Sequence, residues 1–222
     1  MGSVGAVAPE RSDSVVSLPR VRVRGGLRRL SGSVEAMSDS ELEATQWKIF
    51  GERLVDENPF IRLSIASVGL PDGTEFEQYV MRMRRTATTA VVNDHGQVLL
   101  MWRHRFIIDR WVWEMPGGYV DRAEDPAAAA AREVEEETGW RLSERPELVM
   151  TFQPMIGNAD SPQDLYYAVG AEQVGRPDIN ESNRVAWVAI DDALKMIERG
   201  EIVGAATVIG VLYARARQHD HS

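Results

Sequence analysis

The 222-residue sequence contains no cysteine, which excludes disulfides, a thiolate zinc site and a cysteine nucleophile together. Such usage suits the cytoplasm. No apolar run approaches the ~18 residues that a membrane span needs. A basic surplus is also missing: the formal net charge is −9, the wrong sign for a protein that holds phosphate backbones. Because no G-x-x-x-x-G-K-[ST] phosphate loop occurs, an ATP-driven motor of that form is excluded. What is present is a 44% hydrophobic content, enough for one proper core.

The charge is unevenly spread. Residues 1–40 hold six Arg and four acidic residues, a net of +2, which leaves −11 for residues 41–222. The first 40 residues show no sustained period of 2 or 3.6 and read as an extension without a folded pattern. Their Arg- and Ser-bearing start also has the composition of a transit peptide. Met37, heading MSDSELEATQW, is a candidate native start.

Beyond Trp47 the pattern becomes ordered. Segments 63–68 and 75–83 read as strands around a Pro71-Asp72-Gly73 turn, and 86–92 and 97–103 as a second hairpin around Asn93 to Gly96. Segment 111–120 reads as extended but broken by Pro116, Gly117 and Gly118. Further strands are expected at 147–152, 164–170 and 184–190. Asp191 is a candidate cap for a helix with Ala193, Leu194 and Ile197 on one face, ending at Gly200, and a last helix is expected over 205–217. Strands in runs with three helices interspersed predict a mixed-sheet α/β (α+β) sandwich.

The densest negative charge lies in GYVDRAEDPAAAAAREVEEETGW, residues 118–140. Asp125 followed by Pro126 is a helix start, and Gly139 is a suitable stop. Ala127, Ala130, Ala131 and Val134 recur at helical spacing and predict a narrow face that packs closely. Glu133 and Glu137 share another face, which Glu136 borders. Like charges at this spacing repel, and no lysine relieves them between Arg132 and Arg141. Charge alone leaves two readings: a solvated helix face, or carboxylates that await hard divalent cations such as Mg²⁺.

Spacing separates the two. Gly118, five residues, Glu124, seven residues, then Arg132-Glu133-Val134-Glu135-Glu136-Glu137-Thr138-Gly139-Trp140 resembles the Nudix box, with Trp140 unusual in type at the last position. The resemblance implies a Nudix α/β/α sandwich that hydrolyses nucleoside diphosphates linked to another group, using two to three Mg²⁺ or Mn²⁺ ions. By motif position Glu133 and Glu137 look like principal metal ligands, with Glu136 assisting and the Gly117 carbonyl as a backbone ligand. Arg132 and Glu124 look supportive, and Gly118 and Gly139 structural.

Residues 45–217 are similar more specifically to the ADP-ribose pyrophosphatase-like subfamily. The supporting segments are the hairpin at 63–83, Arg103-His104-Arg105, Trp113-Glu114-Met115-Pro116-Gly117-Gly118, Pro154 and the acidic loop 178–185. Glu181 matches the loop carboxylate that serves there as catalytic base or further metal ligand, so the catalytic set is Glu181, Glu136 and Glu137. Arg105, Glu114 and Arg103 are candidate substrate contacts. Arg105 is as well placed for a salt bridge as for a phosphate, and Arg103 stands where the subfamily usually has Gln. The resemblance implies residues 41–84 as a dimerising strand region, residues 85–222 as the Nudix domain, and a homodimer. It implies a nucleotide-sugar substrate, with no nucleic-acid or membrane partner: ADP-ribose cut to AMP and ribose 5-phosphate, or alternatively GDP-mannose, another nucleotide sugar or a dinucleotide. A reading of another class, a non-catalytic Nudix-like nucleotide sensor, sits poorly with an intact box.

Overall fold

The run Val98-Leu99-Leu100-Met101 is apolar at every position rather than at alternate ones, a pattern that calls for a strand covered on both faces. The computed structural model describes residues 43–178, 180–182 and 184–220, and the extension expected over 1–40 lies outside the described residues. In it those four side chains are fully buried on strand β5 (Gln97–Arg105), next to β4 (Thr86–Val92). Val91 and Leu99 pack on one side with Val134, whereas Ala90, Val92, Val98 and Leu100 face the other side with Ile190, Ala193, Val211 and Ala214.

Three helices supply those covers. Helix α1 (Pro126–Thr138) lies on one face; α2 (Ile190–Glu198) and α3 (Ala205–Asp220) lie on the other. The central sheet runs β13 (Arg184–Ala189), β5, β4, β11 (Gln163–Val169), β9 (Glu147–Phe152). Strands β4 and β11 are parallel and the remaining pairs antiparallel. The expected mixed-sheet α/β/α sandwich is therefore present.

A second sheet joins β1 (Lys48–Glu57), β2 (Ile61–Gly69) and β3 (Glu75–Met83) as antiparallel neighbours. Short β10 (Ala159–Asp160) adds to β3 in parallel, and β8 (Trp140–Leu142) pairs with β12 (Ala171–Gln173). Strand β1 was not among the expected strands, because all ten of its residues are exposed and no buried face imposes a period on them.

Two local expectations shift. The segment 111–120 divides into β6 (Arg110–Glu114), paired with β5, and β7 (Gly117–Tyr119), paired with β4. Pro116, which has no N–H to donate, falls in the gap between them. Helix α2 begins one residue before Asp191, with Ala189 at its cap and no side-chain cap bond. Asp191 and Asp192 instead occupy its first turn, where carboxylates favour the positive end of the helix dipole.

Candidate active site

Helix α1 starts and stops where its end residues require. The Asp125 side chain accepts a hydrogen bond from the Ala128 N–H at 3.3 Å, Pro126 sits in the first turn, and Gly139 closes the helix at φ 74°. A side chain at Gly139 would strike the backbone of Gly175 as well as strain that φ. Ala127, Ala129, Ala130 and Val134 are buried against the sheet, with Ala131 only partly so. Small side chains let the helix sit close, and the Thr89 hydroxyl reaches the Ala130 carbonyl at 3.4 Å. The packing fixes which way the opposite face looks.

That face borders a cavity of about 670 Å³ lined by Glu133, Glu136, Glu137, Arg132, Gly117, Gly118, Arg103, Arg105 and Glu181 among others. Side chains from β5, β7, α1 and the loop 178–182 thus meet in one place. Glu114 lines an adjoining cavity that shares Arg105, Gly117 and Gly118. Its carboxylate takes Arg105 Nε at 3.0 and 2.9 Å, and Arg105 Nη2 at 2.6 Å. Arg105 thus makes a salt bridge, one of the two readings left open for it, with a residue of the adjoining cavity. Glu124 and Gly139 are not among the lining residues, whereas Arg132 and Gly118, also read as supporting or structural, are.

Arg132 is held from behind and grips forward. Its Nε and Nη2 donate to Glu124 at 3.0 and 3.1 Å, while Nη1 donates to Glu133 at 2.8 Å and to Glu136 at 2.9 Å. Hydrogen bonding from Arg132 keeps the Glu124 carboxyl below its usual range. On the other side Arg103 donates through Nη1 to Glu137 at 2.9 Å and through Nη2 to Glu181. The Gly117 N–H also donates to Glu137, at 2.7 Å.

Glu137 is 5% exposed. Burial pushes its carboxyl up to about 7; the Gly117 N–H and Arg103 oppose that rise, and the charges of Glu133 and Glu181 add to it. Burial likewise raises Glu133, against the pull of Arg132. A Cβ on Gly118 would come within 2.5 Å of the Glu133 carboxylate, so the missing side chain is what gives that carboxylate its place. Among the described residues no three acidic or imidazole side chains converge into a metal cluster as they stand; arginines bridge them instead. The available donors are all oxygens, and burial disfavours two of the carboxylates, Glu133 and Glu137, as anions. Such a set fits a hard divalent cation better than it fits solvent.

A model of the NUDIX domain matches residues 82–205. The chain belongs to the Nudix family. A CMP-5'-(N-acetyl-N-hydroxy-3-aminopropyl)phosphonate hydrolase of Streptomyces rubellomurinus is 42% identical over 168 residues, covering 75% of this chain and 81% of that protein. An ADP-ribose pyrophosphatase of Mycobacterium tuberculosis is 31% identical over 153 residues, 67% of this chain and 73% of its own length. Among solved structures, an ADP compounds hydrolase superposes with a TM-score of 0.70 at 14% identity, covering 80% of this chain and 96% of that one. The last likeness concerns the fold alone. Family and relatives together make this protein a Nudix pyrophosphohydrolase.

The sequence did not mark every part of the site. Phe60 and Tyr119 line the same cavity with ring centroids 5.1 Å apart. The Arg84 guanidinium lies 5.9 and 5.5 Å from those two rings. It donates to the Val120 carbonyl at 2.6 Å and to Asp121 at 3.1 Å. Phe60 precedes β2 and Arg84 follows β3, so no spacing links them to the box. Only the fold brings them there.

Proposed function

We propose that this enzyme hydrolyses the phosphoanhydride of a nucleoside 5'-phosphate joined to a second phosphoryl-bearing group, with a divalent cation as cofactor. The single observation that carries the reading is the gathering of Glu133, Glu136, Glu137 and Glu181 on one cavity with arginines between them. Glu133, Glu136, Glu137 and the Gly117 carbonyl would hold two to three Mg²⁺ or Mn²⁺ ions. When bound, such ions neutralise the anhydride and lower the pKa of a coordinated water. Arg132, anchored on Glu124, sets the directions of Glu133 and Glu136. Glu181 accepts the proton of the attacking water; the water oxygen bonds to phosphorus as the bridging P–O bond breaks, and the leaving phosphate keeps the electron pair. Arg105, steered by Glu114, and Arg103 flank the phosphates. Phe60 and Tyr119 offer ring faces to the base.

ADP-ribose, giving AMP and ribose 5-phosphate, is the reading favoured within the nucleotide sugars, with GDP-mannose or a related dinucleotide second. The relative named for a CMP-linked phosphonate adds a specific alternative: a phosphate–phosphonate anhydride presents the same bridging bond to the same carboxylates. Pairing of the strand region 41–84 between two copies completes the proposed enzyme as a homodimer. The test is a panel of ADP-ribose, GDP-mannose, diadenosine diphosphate and a CMP-linked phosphonate with Mg²⁺, followed by product chromatography. Wild type is expected to cleave at least one of them, and Glu137→Gln to lose about 100-fold or more in kcat. Full activity in that variant, or no cleavage of any compound by wild type, rules the reading out.

A further inference from the structure

Arg103 makes ion pairs with Glu137, of the proposed metal set, and with Glu181, the proposed base. Its side chain is only 14% exposed; Nη1 lies 2.9 Å from Glu137 Oε1, and Nη2 pairs with Glu181. The two glutamates come from different elements, the last turn of α1 and the loop 178–182. They share a second link, since the buried Ser182 hydroxyl donates to the Glu137 carbonyl at 3.4 Å. Arg132 differs in being forked onto Glu124, outside the cavity lining. Arg103 has no such rear anchor in its ion pairs. A guanidinium stays charged at every physiological pH and suits two carboxylates at once. A cation of the chain itself thus occupies the Glu137 carboxylate, where a divalent cation is proposed to bind, and ties it to Glu181.

We propose that Arg103 is an internal counter-cation for the Glu137–Glu181 pair that competes with the divalent metal and so sets the metal concentration the enzyme requires. The inference rests on the reading that these two glutamates belong to the metal-dependent machinery. Arg103 ties Glu137 to Glu181, and its guanidinium must leave Glu137 before a metal ion takes that carboxylate oxygen. It acts through the glutamates, as a positioning residue. A glutamine at 103 keeps a polar side chain but removes the rival charge; a lysine keeps the charge on a different stem.

Metal-stripped full-length protein is titrated with Mn²⁺ without substrate, free Mn²⁺ being followed by electron paramagnetic resonance. Melting is recorded in chelator and in saturating Mn²⁺. Arg103→Gln is expected to bind Mn²⁺ about tenfold tighter than wild type, the scale of one charge-assisted hydrogen bond. Its Tm should fall below wild type in chelator and recover most of that gap in Mn²⁺. Arg103→Lys should stay within about threefold of wild-type affinity, since the charge persists. Unchanged or weaker Mn²⁺ binding by the Gln variant overturns the proposal, as does a Tm deficit equal in both conditions, the mark of a merely structural arginine. Tightening of about tenfold or more by Arg103→Lys, whose charge persists, overturns it too, and keeps the test decisive should the Gln variant not fold without metal. A wild type that takes up no Mn²⁺ ends both this inference and the metal-dependent reading. A wild type that binds Mn²⁺ while Arg103→Gln binds it no better ends this inference alone.

Discussion

At Gly118 the absence of a side chain matters more than its conformational freedom. A methyl group there would meet the Glu133 carboxylate at 2.5 Å, and that carboxylate is the far end of a flexible side chain. The chain therefore accommodates alanine by moving Glu133 rather than by shifting backbone. Gly118→Ala is expected to melt close to wild type yet lose about 100-fold in kcat/KM, because a displacement of about 1 Å in a positioned group costs on that order. Melting and steady-state kinetics on one preparation check both halves. Gly139 is the opposite case: its positive φ and the Gly175 backbone against it make the same substitution a matter of folding.

At the scale of elements, α1 and the β1–β2–β3 sheet obey different rules. Helix α1 follows period 3.6 with a capped start and a left-handed stop, so its position is legible in one dimension. The sheet depends on cross-strand pairs. Glu52 on β1 accepts a hydrogen bond from the Ser64 hydroxyl on β2 and from Arg82 on β3, with Arg82 Nη2 at 2.7 Å. These bonds, Arg82 first, hold its carboxyl down to about 2 from an ordinary 4.5. Since the folded value is the lower one, this interaction contributes fully above about pH 4.5 and fades as the pH falls towards 2. Glu52→Gln is expected to lower Tm at pH 7. Its deficit should narrow steadily below pH 4.5, which melts across that range at constant ionic strength will show. A deficit independent of pH contradicts the assignment.

Among the described residues of the whole molecule, a sheet edge is uncovered. Strand β1 is the outer strand of its sheet, and Ile49, Phe50, Leu54 and Val55 on it are 69%, 57%, 51% and 46% exposed. A long apolar edge strand is a template for pairing with another chain. A second copy of this one is the occupant proposed above. Sedimentation velocity is expected to give a dimer at micromolar concentrations, and Ile49→Glu with Leu54→Glu to shift it to monomer. A wild type that sediments as monomer throughout would remove the homodimer from the proposed function.

How far the sequence reached depended on the range of the forces involved. The box residues were legible because one helix sets their spacing: Asp125, Pro126 and Gly139 fix its ends, and its period puts Glu133 and Glu137 on one side. The mixed sheet was legible where burial on both faces left an apolar run, as in Val98 to Met101. Strand β1 was not, because exposure removes the period that marks a strand. Nor was the partnership of Arg103 with Glu137 and Glu181, which spans three separate elements. The arrival of Phe60 and Arg84 beside Tyr119 was hidden for the same reason. Local geometry repeats along the chain and can be read from it, as in the pairing of Glu133 and Glu136 with Arg132. Which distant side chains share a cavity is decided only when the sheets and α1 pack, and that packing determined here that Glu137 is paired with Arg103.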